Sequence, residues 1–385
     1  MKTFDAIIVG GGLIGSAIAF ELAGEKLRVL VIDRQQPGRE ASWAAAGMLS
    51  PGPDSPEAAP LAPLGKESLQ LYPEFIAGVE EASGMAVNFA RQGTFEIFAG
   101  PQSERARDAM VEEYRRLEIA IETISPKAAR AVESSLGPAA MAVAWLPEEA
   151  TVDPRLLTEA VLAGAERRGA LVRVGCAVDS LLCRGAACAG VVAGGEKIEA
   201  AHVVIAAGSF CGKISDCVSR TKGNLARYAP VSPVRGQMLA LRSESVKLQR
   251  VLRSQRGYLV PRPDGRIIAG STLEDAGFVK QVTPEGIRRI LDGAVELAPA
   301  LADAKIVEQW AGLRPDTPDH LPIIGPTEMS GLVMATGHYR NGILLAPVTA
   351  KIVRDWIVNG KASFSAENFL PLRFTATRSH ARTSG

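Results

Sequence analysis

The sequence predicts an α/β plus α+β fold, in which a doubly wound, Rossmann-like domain is interleaved with a second domain built on a mixed or antiparallel sheet. The chain opens on a buried strand, a glycine-rich turn and a helix, as doubly wound sheets do. Buried strands that end in small residues return at 202–208 and 331–337. Between them, β-like segments at 234–242, 257–261 and 266–272 do not alternate regularly with helices, which favours a separate sheet.

Size and charge limit the class of protein. A length of 385 residues favours two domains, or three. Hydrophobic residues make up 47% and charged residues 22% of the chain, which excludes disorder as a description of the whole. Lysine and arginine number 43 against 42 aspartates and glutamates. Because a dedicated nucleic-acid-binding protein usually shows a strong basic excess, we expect no nucleic-acid partner.

Cysteine and histidine usage bears on compartment and metal binding. The five cysteines are odd in number and form no CxxC pair, and the four histidines share no ligand spacing with them. We therefore expect neither a disulfide framework nor a metal site. No stretch reaches about 18 uninterrupted apolar residues, so we expect no membrane span. These features predict a soluble, cytoplasmic protein whose residues 373–385 form a disordered tail.

The first 33 residues carry a nucleotide-binding pattern. A strand, FDAIIV, runs into GGGLIG, with Gly10, Gly12 and Gly15 in GxGxxG spacing. The first glycine of such a pattern makes a tight turn, the second lets the backbone approach a pyrophosphate, and the third allows close helix–strand packing. The helix N-terminus offers N–H donors to the phosphates. The second strand ends in Asp33, which can accept hydrogen bonds from both ribose hydroxyls and repels a 2′-phosphate.

The order of strand, helix, second strand and acid predicts dinucleotide binding. The other interpretation is a glycine-rich turn with Asp33 as a helix cap. The pattern alone does not separate FAD from NAD. Residues 36–49, QPGREASWAAAGML, would let a loop press its backbone against a large flat ligand, although the same composition fits a packed alanine helix turn equally well.

Further helices and strands connect these pieces. Asp153-Pro154 is typical of an N-cap followed by proline at the first helical position, so Asp153 is predicted to be a cap rather than a catalytic acid. Thr283-Pro284 opens another helix in the same manner. Apolar periodicity predicts further helices at 65–83 and 105–119, and strands at 91–99, 171–174, 177–182 and 185–192.

The stretch 309–342 carries the richest functional signal. Its polar turn GHYRNG, at 337–342, precedes a helix predicted over Ile343–Val358, so N–H groups and a helix dipole would face whatever lies above the turn. Arg314 stands in a rigid, apolar context. Its guanidinium matches a carboxylate bidentately, or else bonds loop carbonyls as a structural arginine. His338 is a candidate base, although a lone histidine in a turn is more often structural.

The sequence resembles the D-amino-acid-oxidase-like FAD-dependent oxidoreductases and, within them, the glycine-oxidising branch of thiamine biosynthesis. The matching pieces span nearly the whole chain in the family's order. They are GGGLIGSAIAFELA at 10–23, EASWAAAGML at 40–49, VVIAAG at 203–208, PVRGQML at 233–239, GYLVPR at 257–262, WAGLRPDTPDHLPIIGP at 310–326 and GHYRNGILLAPVT at 337–349. The resemblance implies FAD held noncovalently, because no cysteine follows Cys217 to take the covalent flavin link of the related sarcosine oxidases.

The resemblance also assigns roles by position. Arg314 matches the arginine that pairs with the substrate carboxylate, Tyr258 matches the tyrosine that adds a hydrogen bond to it, and Arg340 is expected to close the pocket. No general base and no metal ligand is implied. The implied cofactor contacts are Gly10, Gly12, Leu13, Ile14, Gly15, Asp33, Arg34, Ser42, Ala44, Ala45, Ala46, Gly47, Met48, Val178, Ala207, Gly208, His338, Arg340, Asn341, Gly342 and Ile343. Three residues depart from the family's usual pattern near the presumed pocket, namely Arg256, Asp316 and His320.

The implied reaction is oxidative deamination of glycine, sarcosine or D-alanine by hydride transfer to the flavin. It would give an imino acid, then a 2-oxo acid such as glyoxylate, with ammonia and, from molecular oxygen, hydrogen peroxide. One alternative is a D-amino-acid or N-methyl amino-acid dehydrogenase with a quinone or protein acceptor. Alternatives of other classes are an NAD-linked dehydrogenase and a nucleotide-binding module without catalysis.

The resemblance implies a discontinuous division of the chain. Residues 1–84, 150–222 and 310–372 would form the FAD-binding domain, and residues 85–149 and 223–309 the substrate-binding domain. A homo-oligomer is compatible with this arrangement.

Overall fold

The structure is a computed structural model, and it describes residues 3–53, 55–216 and 225–374. Its α-helices are α1 (Leu13–Gly24), α2 (Ala41–Ala44), α3 (Ala62–Ser83), α4 (Ser103–Arg116), α5 (Pro126–Val132), α6 (Pro154–Arg167), α7 (Pro284–Leu297) and α8 (Ala346–Asn359). Its strands are β1 (Phe4–Val9), β2 (Val29–Ile32), β3 (Met48–Leu49), β4 (Phe89–Ala90), β5 (Thr94–Phe98), β6 (Glu122–Ile124), β7 (Ala142–Leu146), β8 (Ala150–Val152), β9 (Leu171–Arg173), β10 (Val178–Arg184), β11 (Ala187–Ala193), β12 (Glu196–Ile205), β13 (Ser232–Arg242), β14 (Val251–Ser254), β15 (Gly257–Pro261), β16 (Arg266–Gly270), β17 (Lys305–Asp316), β18 (Ile323–Pro326) and β19 (Leu332–Thr336).

The first sheet is largely parallel. Its strands lie in the order β18, β19, β12, β1, β2, β9, and each neighbouring pair is parallel except the antiparallel edge pair β18 and β19. The first half of β12 pairs instead with β11, which continues to β10 as an antiparallel extension. Helix α1 packs between α6 and α8 on one face, and a second apolar cluster covers the other. Burial on both faces explains why β2, β1 from Ala6 onward and β19 up to Ala335 are apolar runs.

The second sheet is mixed. Its order is β17, β13, β16, β15, β14, β5, β7, β6, and every pair is antiparallel except β14 with β5. Helix α7 packs against it over an apolar cluster of its own. Strand β17 pairs with β13 along its whole length, from Lys305 to Asp316, and so crosses the boundary expected at residue 310. The structure therefore has the doubly wound sheet and the mixed sheet that the sequence predicts.

Two helix caps follow the sequence, and one helix start does not. The Asp153 carboxylate accepts hydrogen bonds from the Arg155 and Leu156 amides at 2.9 and 3.3 Å, and Thr283 caps α7, which confirms both predictions. The helix expected from Ile343 begins instead at Ala346. Gly342 and the residues after it form turns, and the helix starts where Pro347 can occupy the first turn without needing an N–H donor.

Several other expectations concern the whole chain. The predicted disordered tail, 373–385, lies from residue 375 onward outside the described residues. None of the helices in the described ranges combines the length and apolarity that a membrane crossing needs. Likewise, the described histidine, cysteine, aspartate and glutamate side chains include no group of three placed to hold a metal ion. Cys176, Cys188 and Cys211 are free thiols, whereas Cys183 is disulfide-bonded.

Candidate active site

A cavity of about 510 Å³ is lined by both sheets. The first sheet contributes the ends of β1, β2 and β19, and the second contributes residues of β13, β15 and β17. Ligand-binding pockets are commonly between about 300 and 1,000 Å³, so the volume suits a large ligand. The carboxyl ends of parallel strands are also where doubly wound sheets bind their ligands. The cavity is therefore the candidate active site.

The glycine-rich turn forms one end of the cavity. Gly10 has a φ of +105°, and a Cβ there would lie 2.5 Å from the Ala206 carbonyl oxygen. A Cβ on Gly15 would lie 1.9 Å from the Gly10 carbonyl oxygen, so this glycine lets α1 approach β1 and does not itself line the cavity. The Leu13 amide donates a hydrogen bond of 2.9 Å to the Ser42 hydroxyl. These contacts hold the helix N-terminus against the cavity wall.

Asp33 is fixed by backbone donors. One carboxylate oxygen accepts from the Gly11 amide at 2.8 Å and the other from the Gln35 amide at 3.0 Å. Burial raises the pKa of Asp33 above its usual value, while these two hydrogen bonds oppose the rise. The carboxylate lines the cavity beside the glycine-rich turn. An acid at the end of the second strand and beside the glycine-rich turn stands where dinucleotide-binding folds place the residue that contacts a ribose.

The loop after α2 forms the next part of the wall. Ala44, Ala45, Ala46, Gly47 and Met48 all line the cavity. Gly47 has a φ of +75°, and a Cβ there would lie 1.9 Å from the Val152 carbonyl oxygen. Gly312 on β17 faces this loop closely, since a Cβ on it would lie 2.3 Å from the Ala44 Cβ. Small residues are therefore needed on both sides of the contact.

Arg314 lies on β17 and also lines the cavity. Its Nη1 donates to the Thr272 carbonyl at 3.1 Å, and its Nη2 donates to the Ser271 hydroxyl at 2.8 Å. Burial lowers the pKa of Arg314, and Tyr258 opposes that shift. Across residues 3–53, 55–216 and 225–374, no carboxylate forms a salt bridge with this guanidinium. A half-buried guanidinium that lines a cavity and has no counter-ion among the described residues is a strong anion site.

Tyr258 and two glycines shape the space around Arg314. The Tyr258 hydroxyl lies 3.2 Å from the Met238 sulfur, and it also interacts with Arg314. A Cβ on Gly236 would lie 2.1 Å from Nη1 of Arg314. A Cβ on Gly270 would lie 2.5 Å from the Met238 sulfur. Because Gly236 on β13 and Gly270 on β16 have no side chain, there is room for the guanidinium and the phenol.

The GHYRNG turn forms another part of the cavity wall. His338 is buried, its Nε2 lies 3.0 Å from the Thr349 hydroxyl, and burial lowers its pKa to about 3. It is therefore neutral at physiological pH. Arg340 is exposed at the cavity edge, and the Asn341 amide donates to the His338 carbonyl at 2.8 Å without reaching the lining.

The structure brings nearly all the sequence-derived site residues into one cavity. Every substrate- and cofactor-binding residue expected above lines it, except Gly15 and Asn341. The residues that depart from the resemblance do not line it. The Asp316 Oδ1 lies 2.8 Å from the His320 Nδ1. The His320 ring stacks on Tyr339, which does line the cavity. Arg256 is exposed and pairs with Glu296.

Sequence reasoning missed several lining residues. Ser271, Met238 and Gly236 surround Arg314 and Tyr258, and Phe210 and Lys213 lie at the nucleotide end. A signal was present for two of them, because Gly236 and Met238 belong to the PVRGQML piece that carries the resemblance. The others follow strand or loop ends with no distinctive spacing.

A doubly wound sheet that presents a GxGxxG turn and the acid at the end of its second strand to a cavity is typical of the dinucleotide-binding class of proteins. The chain belongs to the family described as DAO, FAD dependent oxidoreductase, whose model matches residues 5–356. Its cofactor is accordingly FAD.

Several known proteins are similar to this chain. The bifunctional protein ThiO/ThiG of Trichormus variabilis is 37% identical over 377 residues, 97% of this chain and 55% of that protein. The chain thus spans about half the length of the bifunctional relatives it matches. Glycine oxidase of Pseudomonas putida is 30% identical over 95% of this chain and 98% of its own length. The crystal structure of glycine oxidase from Geobacillus kaustophilus matches with a TM-score of 0.88 at 29% identity, over 96% of this chain and 98% of that chain.

Proposed function

We propose that this protein catalyses the FAD-dependent oxidative deamination of glycine and other small amino acids, such as sarcosine and D-alanine. The observation that carries the proposal is the half-buried Arg314, which has no carboxylate partner in the described part of the chain and lines the same cavity as Tyr258 and the glycine-rich turn. A substrate carboxylate would supply the missing negative charge. The similarity to glycine oxidases of known name and structure supports the same activity.

The residues present fit FAD along the cavity. The helix N-terminus at Gly10–Leu13 would receive the pyrophosphate and Asp33 the ribose, with Val178 on the adenine side. The loop of residues 44–48 and the GHYRNG turn would enclose the flavin. The Gly47 amide supports this placement, since it lines the cavity and donates no hydrogen bond to any residue in the described ranges. Bound FAD supplies the hydride acceptor and returns the electrons to molecular oxygen.

This chain's residues would act by positioning. Arg314 and Tyr258 would hold the substrate carboxylate, and thereby orient the Cα–H bond toward the loop of residues 44–48. Arg340, exposed at the cavity edge, would close the site over a bound substrate. His338 does not serve as a general base, because burial keeps its pKa at about 3. No side chain of the cavity is required to take the substrate proton.

The products of glycine would be glyoxylate, ammonia and hydrogen peroxide, and the imine would serve the thiazole branch of thiamine biosynthesis. The similarity to proteins named ThiO/ThiG supports that pathway. The second candidate is a D-amino-acid or N-methyl amino-acid dehydrogenase that reduces a quinone or a protein. The same Arg314 site would serve it, so only the electron acceptor separates the two.

The visible spectrum of the purified protein tests the proposal. We expect a flavin spectrum that is bleached anaerobically by glycine, sarcosine or D-alanine and restored by air. Oxygen uptake with equimolar hydrogen peroxide would identify an oxidase. Bleaching without reoxidation by air, together with reduction of a quinone analogue, would favour the dehydrogenase. A flavin spectrum that none of the three amino acids changes would overturn the amino-acid assignment.

We also propose the domain division, in which residues 1–84, 150–222 and 310–372 form the FAD-binding domain and 85–149 and 223–309 the substrate-binding domain. Strand β17 joins the two, because it pairs with β13 and carries Arg314, the proposed ligand of the substrate carboxylate. The cytoplasmic location and a homo-oligomeric state remain predictions, which cell fractionation and light scattering would check.

A further inference from the structure

Three side chains hold the carbonyl groups of the loop at residues 43–47 from outside the cavity. The Arg155 Nε donates to the Trp43 carbonyl at 3.2 Å, and the Trp310 Nε1 donates to the Ala44 carbonyl at 3.1 Å. The Arg262 Nη2 donates a hydrogen bond to the Ala46 carbonyl. The Val152 amide completes the set by donating to the Gly47 carbonyl at 2.9 Å. We call Arg155, Trp310 and Arg262 the carbonyl clamp.

The clamp determines where the amides of the loop point. A trans peptide unit is planar, and its N–H points opposite to its C=O. The carbonyl of Ala46 belongs to the same peptide unit as the Gly47 amide, and the carbonyl of Ala44 to that of Ala45. Donors bound to these two carbonyls therefore turn the Ala45 and Gly47 amides away from the clamp. Gly47 then keeps an N–H that no described residue accepts, in a residue that lines the cavity.

The clamp residues are themselves held in place. Arg262 is buried and lies 3.9 Å from the carboxylate of Asp153, which caps α6. Arg155 lies 3.6 Å from the centroid of the Trp43 ring and forms a 2.9 Å ion pair with Glu308. Trp310 is 6% exposed. Because a buried guanidinium is costly unless hydrogen-bonded, Arg262 offsets that cost through the Ala46 carbonyl and Asp153.

We propose that the carbonyl clamp is a set of positioning residues that fixes the Gly47 amide as a hydrogen-bond donor to the flavin. The proposal rests on the placement of the flavin against residues 44–48 given above. A fixed donor stabilises an acceptor atom most when that atom gains negative charge, as a flavin ring does on reduction. The clamp thus strengthens FAD binding and raises the flavin's midpoint potential.

Two tryptophan variants isolate one donor of the clamp. Trp310→Phe removes the N–H to the Ala44 carbonyl and keeps an aromatic ring. Trp145→Phe is the matched control, because the Trp145 Nε1 has no hydrogen-bond partner in the described part of the chain and Trp145 does not line the cavity. An unsatisfied buried carbonyl should weaken FAD binding about tenfold in Trp310→Phe. Trp145→Phe should leave it unchanged.

Two arginine variants test the second donor. Arg262→Met removes both the Ala46 hydrogen bond and the charge facing Asp153, whereas Arg262→Lys keeps the charge. We expect weaker FAD binding and a lower midpoint potential in Arg262→Met, with partial recovery in Arg262→Lys. If Arg262→Met fails to fold, Arg262→Lys still decides the matter, because it alters the hydrogen bond to the Ala46 carbonyl, which shares a peptide unit with the Gly47 amide.

The measurements are titration of apoprotein with FAD, followed by flavin fluorescence, and the midpoint potential by dye equilibration. A purely structural clamp would lower the unfolding temperature of the apoprotein but leave both quantities at their wild-type values, and that result would overturn the proposal. Neither measurement uses glycine. A wild-type protein that glycine does not reduce would therefore sink the proposed activity while leaving the clamp testable.

Discussion

The guanidinium of Arg314 donates a 2.8 Å hydrogen bond to the hydroxyl of Ser271, and a second bond to the backbone carbonyl of Thr272. Ser271 and Thr272 directly follow β16, whereas Arg314 lies on β17, with β13 between the two strands. These bonds use one N–H group of Nη1 and one of Nη2, and they leave the other N–H groups of the guanidinium for its neighbours and a ligand in the cavity. The orientation of the Arg314 guanidinium thus depends on the Ser271 hydroxyl, although Ser271 is not one of the residues expected to bind the substrate carboxylate.

Replacing Ser271 should loosen the anion site without removing it. In Ser271→Ala the Nη2 donor loses its partner, so we expect the KM for glycine to rise about 3- to 10-fold while kcat changes little. Ser271→Thr should restore most of the loss, because it retains the hydroxyl. Steady-state oxygen uptake measures both constants, and Ser254→Ala, at the half-buried end of β14 and outside the cavity lining, is the control. A KM for glycine in Ser271→Ala equal to that of the wild type would show that the Ser271 hydroxyl does not orient the Arg314 guanidinium.

Removing the charge of Arg314 should have a much larger effect. Arg314→Met leaves a substrate carboxylate without its cation, and we expect kcat/KM for glycine to fall about 100-fold or more. FAD content should stay at the wild-type level, because Arg314 forms its hydrogen bonds with Ser271 and Thr272 and none with the glycine-rich turn or Asp33. Arg256→Met, which removes an exposed ion pair with Glu296, controls for loss of a surface charge. An unchanged KM for glycine in Arg314→Met would contradict the substrate assignment.

Gly236→Ala tests the packing that makes room for the same guanidinium. The added Cβ would lie 2.1 Å from Nη1 of Arg314, so the arginine has to move. A misplacement of about 1 Å at a reacting site can lower activity about 100-fold, and we expect a loss of this order in kcat/KM. Gly78→Ala is the matched control, since a Cβ there meets nothing within 4 Å and alanine favours the helix. Equal activity in the two variants would rule out steric control by Gly236.

The sequence predicted the nucleotide end of the site better than the anion end. Gly10 directly follows β1, Gly15 lies in α1 and Asp33 directly follows β2, so spacing along the chain already encodes their geometry. The partners of Arg314 could not be found in this way. Ser271 and Arg314 are 43 positions apart, and their contact depends on how β16, β13 and β17 register in the second sheet. The start of α8 differed from the prediction because apolar periodicity continues through turns that the backbone makes before Pro347.

The buried His338 should give the protein a distinct pH dependence. Its pKa is about 3 in the folded protein, below the ordinary value of 6.5 that it regains on unfolding. Between pH 6.5 and pH 3, His338 therefore binds a proton in the unfolded chain but stays neutral in the folded protein. The free energy of unfolding falls as the pH drops through this range. At pH 5 we expect His338 to lower the free energy of unfolding by about 2 kcal/mol relative to pH 7.5.

Comparison with His338→Gln separates this effect from that of the carboxylates, which titrate in the same range. Glutamine keeps a hydrogen-bonding group for Thr349 and has no proton to gain. Urea unfolding of the FAD-free proteins at pH 7.5 and pH 5 would measure the difference. Parallel losses in wild type and variant would mean that His338 is not the group responsible.

The segment 273–282 contacts the cavity wall near Arg34 in two ways, through an aromatic pair and through an ion pair. The Phe278 ring lies 5.1 Å from the ring of Phe210, which lines the cavity and carries Arg34 at 3.6 Å from its centroid. Two residues further on, Lys280 forms a 2.9 Å ion pair with Glu40. Both contacts join this segment to the cavity wall, but their chemistry differs.

Phe278→Ala should speed the release of FAD more than Lys280→Ala does. An aromatic pair contributes beyond the area that it buries, so we expect about 3- to 10-fold faster release when Phe278 is truncated. The Lys280 ion pair is exposed to solvent and screened by salt, so its loss should change the rate by about twofold or less. Dilution of the holoprotein, followed by the fluorescence of released flavin at low and high salt, measures both rates. A larger effect for Lys280→Ala that disappears in high salt would instead show that charge, and not aromatic packing, holds this segment against the cavity.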